Sequence, residues 1–360
     1  MAQEFDGHRL ETELAKKIKA RIRQEGPINF REFMDLALYD PVDGFYTKGP
    51  VIGTFKGTFN TNAMFPAFAF ALARAIQQAE GLLEESLRIL EFGGGTGELA
   101  SHLRSFLPTP HEYVIVEISP GFRAQQLRRG FQSVESADQL PPAPTFAFGN
   151  EILDALPVHR VMGTPSGDLL EMFVSIDQNG ELIEEPNHPS TPLLVERLRS
   201  QGIILGRGQI AEICLDLEGF VNQVARSLSK GYVVFIDYGE EASILYSHSQ
   251  RNGTLRSFRS QQAVFDPFEA VGDQDLTADV DFTALRKAGE KAGLQSTGLL
   301  RQGTWLRNLG IQAYTEQVQD SQIADLEIFF LTNPGRLGST FDIALFKTGG
   351  LPDGPGLHFD

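Results

Sequence analysis

The sequence predicts a doubly wound α/β fold built on a mostly parallel sheet. Three observations predict it. Arg88 to Phe92, RILEF, is a short apolar run broken by one glutamate. It stops at Gly93, Gly94, Gly95 and Gly97, and a helical spacing of Leu99, Leu103 and Phe106 follows. Further buried-strand runs recur at Tyr113 to Ile118, Thr145 to Gly149 and Tyr232 to Gly239, each with helix-period segments between them. A strand, a glycine turn and a helix open a nucleotide-binding βαβ unit.

The details of the glycine turn argue for a particular ligand class. A dinucleotide fingerprint has glycine at its first, third and sixth positions, and counting from Gly93 the sixth is Glu98. An acid at the helix start repels a pyrophosphate, which seeks the positive end of the helix dipole. S-adenosyl-L-methionine carries no phosphate and fits better. Its backbone approach needs Gly93, Gly95 and Gly97, where no Cβ intrudes. Glu117 ends the second strand, roughly 20 residues on, where such units place an acid for ribose hydroxyls. Glu91 either meets the ligand's ammonium or only organises the loop.

Composition bounds the class. The 360 residues are 41% apolar and 22% charged, which is the balance of a globular protein. A formal net charge of −16 argues against nonspecific nucleic-acid or anionic-lipid binding. No apolar run reaches bilayer-spanning length. The opening MAQEFDGHRL is neither a signal peptide nor acid-poor like a transit peptide, so a cytoplasmic location is expected, or the mitochondrial matrix if a leader has been removed. A single cysteine, Cys214, excludes an internal disulfide, and the seven histidines show no metal-binding spacing.

Taken in order, Leu10 to Glu25 has the pattern of an amphipathic helix that Pro27 ends. Asn29 caps a second helix carrying Phe30, Phe33, Met34, Ala37 and Leu38. Turn signals at Asp40-Pro41 and Asp43-Gly44 lead to a glycine-rich loop, then a third apolar helix from about Phe65 to Glu80. The glycines of Thr47 to Asn62 suit a lid, with Phe59 and Thr61 approaching the cofactor on closure. After Glu117, Ser119-Pro120 starts a helix. Gly163 to Gly206 reads as an insertion containing a hairpin, Leu169 to Ile176 with a turn at Asn179-Gly180, and a polar linker, Glu184 to Pro192. Asp216 to Leu228 is helical and stops at Gly231. Glu240 to Asp281 is a second insertion, Phe282 to Gly293 a helix, and Phe341 to Phe346 a closing strand. The resulting divisions are 1–87, a helical region and lid; 88–240, the core with its insertion at 163–206; 241–281, an acceptor cap; and 282–360, the completion of the core.

Several blocks in fixed order resemble the MidA-type methyltransferases, a family that includes a mitochondrial complex I assembly factor acting on an arginine. They are PINFREFMDLALYDPVDGFYTKG, EFGGGTG, GNEILDALPVHR, GTLRSF with DLTADVDFTAL, and GTWLRNLGI, spanning Pro27 to Ile311. The resemblance implies a class I S-adenosyl-L-methionine-dependent methyltransferase fold, a Rossmann-like sheet with a helical N-terminal region and inserted caps. It implies a protein side chain such as arginine as acceptor. It also implies that Arg256, Asp279 and Asp281 build the acceptor side. The chain departs from the family at Thr58, at Asn62-Ala63-Met64 and at Gln261-Gln262, all on the lid or acceptor side.

The residue chemistry leaves alternatives. Asn150 and Glu151 end the fourth strand, where a transferable methyl would lie. Glu151 and Asp154 can hold a guanidinium in a bidentate pair, or can cap a helix and compensate its dipole. His159 is a base or a structural histidine. Asp237-Tyr238 ends the fifth strand and is expected to line the pocket. Trp305 is packing. Three functions stay open: a protein methyltransferase, a small-molecule N- or O-methyltransferase, and an inactive cofactor-binding assembly protein. A homodimer is an open option for assembly.

Overall fold

The computed structural model describes residues 11–49, 61–259, 262–264 and 266–358. At the N-terminal end, α1 (Glu13–Glu25) starts at Thr12, whose hydroxyl accepts from Ala15 N–H. It buries Leu14, Ile18 and Ile22. The two-residue β1 (Ile28–Asn29) runs into α2 (Phe30–Tyr39), capped by the Asn29 side chain as the sequence predicts. These helices do not stand alone. They share one apolar cluster with Val158, Val174, Phe268 and Leu276 from the inserted segments.

The central sheet begins after α3 (Pro66–Leu83) with β2 (Arg88–Phe92). The chain continues through α4 (Glu98–Phe106), β3 (Tyr113–Val116), α5 (Pro120–Arg128), β4 (Gln132–Val134) and β5 (Ala143–Asn150). A second sheet follows, made of β6 (His159–Gly163), β7 (Leu169–Ile176), β8 (Leu182–Asn187) and, after α6 (Leu193–Ser200), β9 (Ile210–Ile213). Strand β1 pairs antiparallel with β7 and ties the N-terminal helices to this sheet. The chain returns through α7 (Leu217–Ser227) to β10 (Leu228–Asp237). Short strands β11 (Gly239–Glu240), β12 (Arg256–Arg259), β13 (Gln262–Val264), β14 (Asp275–Thr277) and β15 (Val280–Asp281), with the one-turn α8 (Ala242–Leu245), form the second insertion. Then α9 (Phe282–Lys291), β16 (Leu294–Arg301), α10 (Gln302–Asn308), α11 (Ser321–Thr332) and β17 (Asp342–Thr348) complete the core.

The main sheet has seven strands in the order β16-β17-β10-β5-β2-β3-β4. From β10 to β4 it is parallel, while β17 is antiparallel to both its neighbours. Period-2 alternation sorts its residues between two cores. Ile89, Tyr113, Phe146, Phe148, Val234 and Ile343 face α3, α4, α10 and α11. Leu90, Val114, Ala147, Val233, Phe235 and Phe346 face α7 and α9. A parallel sheet covered on both faces needs near-continuous apolar strands, which is what these runs are. The strand order reverses between β2 and β5, so their carboxyl ends open a crevice there.

Helix α3 is apolar and buried as its sequence predicts, its residues from Ala67 to Ala79 packing in the main core. Several local expectations change. The first inserted sheet is wider than 163–206, starting at His159, and Glu184 lies in strand β8 rather than in a linker. Gly231 does not stop a helix. It lies inside β10 with φ +139°, and a Cβ there would stand 1.8 Å from the Thr145 carbonyl oxygen across the β5 pairing. Gly231→Ala is therefore expected to cost about 3 kcal/mol by overpacking a central strand pair. Chemical denaturation reads this directly, and a loss under about 0.5 kcal/mol would mean that the pairing shifts freely there.

Candidate active site

A cavity of about 490 Å³ lies in the crevice at the carboxyl ends of β2, β3 and β5. Its floor is the glycine turn. Gly93 and Gly95 have φ of +71° and +50°, a left-handed backbone that favours glycine. A Cβ on Gly93 would stand 2.8 Å from Ile152 Cδ1. Gly95 N–H donates to Glu117 Oε2 at 3.0 Å, and Ser119 N–H donates to Glu117 Oε1 at 2.9 Å. The acid at the end of β3 thus organises the loop it faces. The Gly95 carbonyl accepts from Gln126 of α5 at 2.8 Å, which holds the turn from the other side. Glu91 is buried, and its Oε2 accepts from the Tyr113 hydroxyl at 2.7 Å.

The opposite wall is built around Glu151. No helix starts at Asn150; the segment after β5 is an irregular loop, so the capping alternative falls away. Its shape comes from Asp237, whose Oδ2 accepts the backbone N–H groups of Ile152, Leu153 and Asp154 at 3.1, 2.8 and 3.3 Å. Glu151 sits at φ +52°, one of two described non-glycine residues with positive φ. That conformation costs roughly 1–3 kcal/mol, and strain of this kind gathers where a side chain must be aimed. Glu151 Oε1 accepts from the Thr61 hydroxyl at 2.6 Å, from Asn62 N–H at 3.2 Å and from Asn150 Nδ2 at 2.9 Å. Among the described residues no donor reaches Oε2.

Glu91, Gly93, Gly95, Glu117, Thr61, Asn150 and Glu151 all line this one cavity. Gly97, Asp154, Asp237 and Tyr238, also expected there, do not. Gly97 lies at the N-terminus of α4 with φ +76°, packed toward Gln126 and Arg129. Asp154 is buried and accepts from the Tyr238 hydroxyl, so it supports the loop and does not pair with Glu151 at the cavity. Asp237 and Tyr238 likewise lie behind the wall. Asp281 caps α9 through Ala284 N–H at 2.8 Å, and Arg256 pairs with Asp279 and stacks 4.7 Å from the Tyr238 ring centre. His159 is paired with buried Glu171 at 2.6 Å in the second sheet. Burial pushes the Cys214 thiol up to about 12, which disfavours the thiolate that a nucleophile needs. Phe59 and the lid glycines Gly53 and Gly57 lie outside the described residues, as do Thr58 and Gln261.

Sequence reasoning missed the roof. Asp35 and Tyr39 of α2, and Tyr46 beyond it, line the cavity. The two tyrosine rings stack at 5.7 Å, and Tyr39 donates to the Ala155 carbonyl at 3.0 Å. Nothing in their spacing marks them; only the tertiary contact of α2 brings them over the glycine turn. Glu135, Ser136, Phe220 and Gln223 close the far end. Ser136 and Gln223 are joined by a 2.7 Å hydrogen bond.

The electrostatics are one-sided. The described lining holds six carboxylate residues, Asp35, Glu91, Glu98, Glu117, Glu135 and Glu151, and no lysine, arginine or histidine. Burial pushes Glu91, Glu117 and Glu151 each up to about 7. Asp275 behind the roof is pushed to about 7 and Asp154 to about 6 by the same cause. Such a cavity favours a cationic ligand and disfavours a phosphate. A volume of this size, a glycine cradle and acids at the ends of β2 and β3 fit S-adenosyl-L-methionine, which carries a sulfonium and an ammonium.

Comparison with known proteins agrees. The family model described as "Putative S-adenosyl-L-methionine-dependent methyltransferase" matches residues 70–300. A zebrafish protein named protein arginine methyltransferase NDUFAF7, mitochondrial, is 26% identical over 91% of this chain and 85% of its own length. The human protein of that name is 24% identical over 92% of this chain and 82% of its own. A crystal structure from Burkholderia thailandensis, bound to S-adenosyl-homocysteine, superposes with a TM-score of 0.85 at 30% identity, covering 95% of this chain and 94% of that one. With its seven-stranded sheet, glycine cradle and acid-lined crevice, this chain belongs to that S-adenosyl-L-methionine-dependent methyltransferase family, the MidA type.

Proposed function

We propose that this enzyme methylates the guanidinium of an arginine side chain on a protein, with Glu151 holding the acceptor. The observation that carries the reading is the Glu151 carboxylate. Three donors address Oε1, while Oε2 has none among the described residues, and every charged residue of the described cavity lining is an acid. A guanidinium supplies the missing donors and the opposite charge. The names of the curated relatives support the same acceptor class.

In this reading Gly93 and Gly95 let the backbone close on the amino-acid end of the cofactor, and Glu117 receives its ribose hydroxyls while tying the turn. Glu91 offers a carboxylate near the ammonium. Thr61 and Asn150 brace the acceptor side, and Asp154 acts on Glu151 only through the loop and through charge. When bound, S-adenosyl-L-methionine supplies a methyl group already activated by its sulfonium. The chain's task is then positioning, which accounts for much of such a rate enhancement. Glu151 would align the guanidinium nitrogen for in-line displacement, and its carboxylate would accept the proton that this nitrogen sheds.

The test is transfer of a labelled methyl group from the cofactor into an extract depleted of small molecules, followed by mass spectrometry of the labelled protein. Label on arginine is expected. Label on another side chain overturns the acceptor. Label appearing only when metabolites are restored supports a small-molecule methyltransferase instead.

A further inference from the structure

The hydrogen bonds around Glu151 form a directed chain that begins at the start of α10. Gln302, the first residue of α10, is fully buried. Its Nε2 donates to the backbone carbonyls of Leu331 at 3.2 Å and Leu337 at 3.5 Å. Carbonyl oxygens only accept, so they fix which way round the Gln302 amide lies. Gln302 Oε1 therefore accepts from Asn62 Nδ2 at 2.8 Å, while Nε2 also donates to Asn62 Oδ1 at 3.2 Å. With Asn62 so oriented, its Nδ2 donates to Asn150 Oδ1 at 3.2 Å. That leaves Asn150 Nδ2 to donate to Glu151 Oε1 at 2.9 Å. Asn62 also gives its backbone N–H to the same oxygen at 3.2 Å.

We propose that Gln302 and Asn62 are positioning residues of the transfer reaction, acting through Asn150 to saturate one oxygen of Glu151 and present the other to the acceptor. The inference rests on the role proposed for Glu151. Its physical basis is that an amide has two nearly isosteric orientations. If the chain were reversed, the Asn150 carbonyl would face the carboxylate, two acceptors with no proton between them, and Glu151 would rotate away. Two backbone carbonyls remote from the cavity remove that choice. The buried amide pair also explains why the segment before α3 is seated on α10, although a tie of that kind needs no direction.

The charged groups near Glu151 do not change in the test. Asp154 pushes Glu151 up, and Glu151 in turn acts on Asp237 and Asp275. The hydrogen bonds from Thr61, Asn150 and Asn62 oppose the effect of burial on Glu151.

The experiment titrates Glu151 by carbon NMR in the full chain loaded with S-adenosyl-homocysteine and labelled at glutamate carboxyls. The signal is assigned by its loss in Glu151→Gln. In Gln302→Met, and separately in Asn62→Ala, donors become disordered or lost, and the midpoint is expected to rise by about 0.5–1 pH unit. The alkaline rise in turnover of an arginine-bearing protein acceptor shifts with it, while affinity for S-adenosyl-homocysteine stays constant. An unmoved midpoint in either folded variant, with only the melting temperature lowered, overturns the proposal and leaves Gln302 as a structural tie. If Gln302→Met does not fold, Asn62→Ala reads the same quantity. Full turnover in Glu151→Gln would overturn the acceptor-holding role itself, a different failure seen in a different variant.

Discussion

Glu151→Gln is expected to lower turnover on an arginine acceptor by roughly 10²- to 10³-fold, with cofactor affinity little changed. The substitution keeps the volume and the acceptor that Thr61, Asn62 and Asn150 address, and removes the charge. Its sign with pH follows from the burial of the carboxyl, which pushes it up to about 7. The acting form is the carboxylate, so turnover of the unaltered enzyme rises as pH passes upward through that value. Glu151→Gln lacks this rise. A bound guanidinium favours the charged form and draws the midpoint lower in the acceptor complex than in the cofactor complex. Steady-state rates across pH 5.5 to 8.5 on the order of single-unit steps check both statements. Turnover within twofold or so of the unaltered enzyme would return Glu151 to a loop-shaping role.

Gly95→Val is expected to weaken binding of S-adenosyl-homocysteine by at least about 100-fold. Gly95 combines φ of +50° with a place on the cavity wall, so a branched side chain is strained by the backbone and intrudes on the ligand's approach. The same change disturbs the N–H that Gly95 gives to Glu117. Calorimetric titration measures the loss. NAD is expected to show no comparable binding to the unaltered chain, because the lining acids oppose a pyrophosphate. Ordinary affinity in Gly95→Val would show that this turn is not the cofactor cradle.

Much of the molecule was legible in the residue order. The strands β2, β3, β5 and β10 read as apolar runs because a sheet covered on both faces needs them. The glycine turn was legible because positive φ leaves few choices of residue. Glu117 followed from its spacing, and Glu151 from the end of its strand. These signals are local, and they survive without knowledge of any partner.

The tertiary structure decided the rest. Asp154 and Asp237 look like site residues in sequence, yet Asp237 is consumed by three backbone N–H groups and Asp154 by a tyrosine hydroxyl. Whether a carboxylate meets a ligand or a neighbouring loop depends on contacts that spacing does not encode. Tyr39 and Tyr46 entered the site only because α2 packs against the inserted sheet through β1, a contact between residues 28–29 and 173–174. Gln302 reaches Asn62 across 240 positions of chain. The residue order by itself determined the fold class, the cofactor class and the acid at the crevice. Folding decided which acids stay open to a ligand: Glu151 keeps one oxygen without a donor among the described residues and lines the cavity, whereas Asp154 and Asp237 hold the loop behind it.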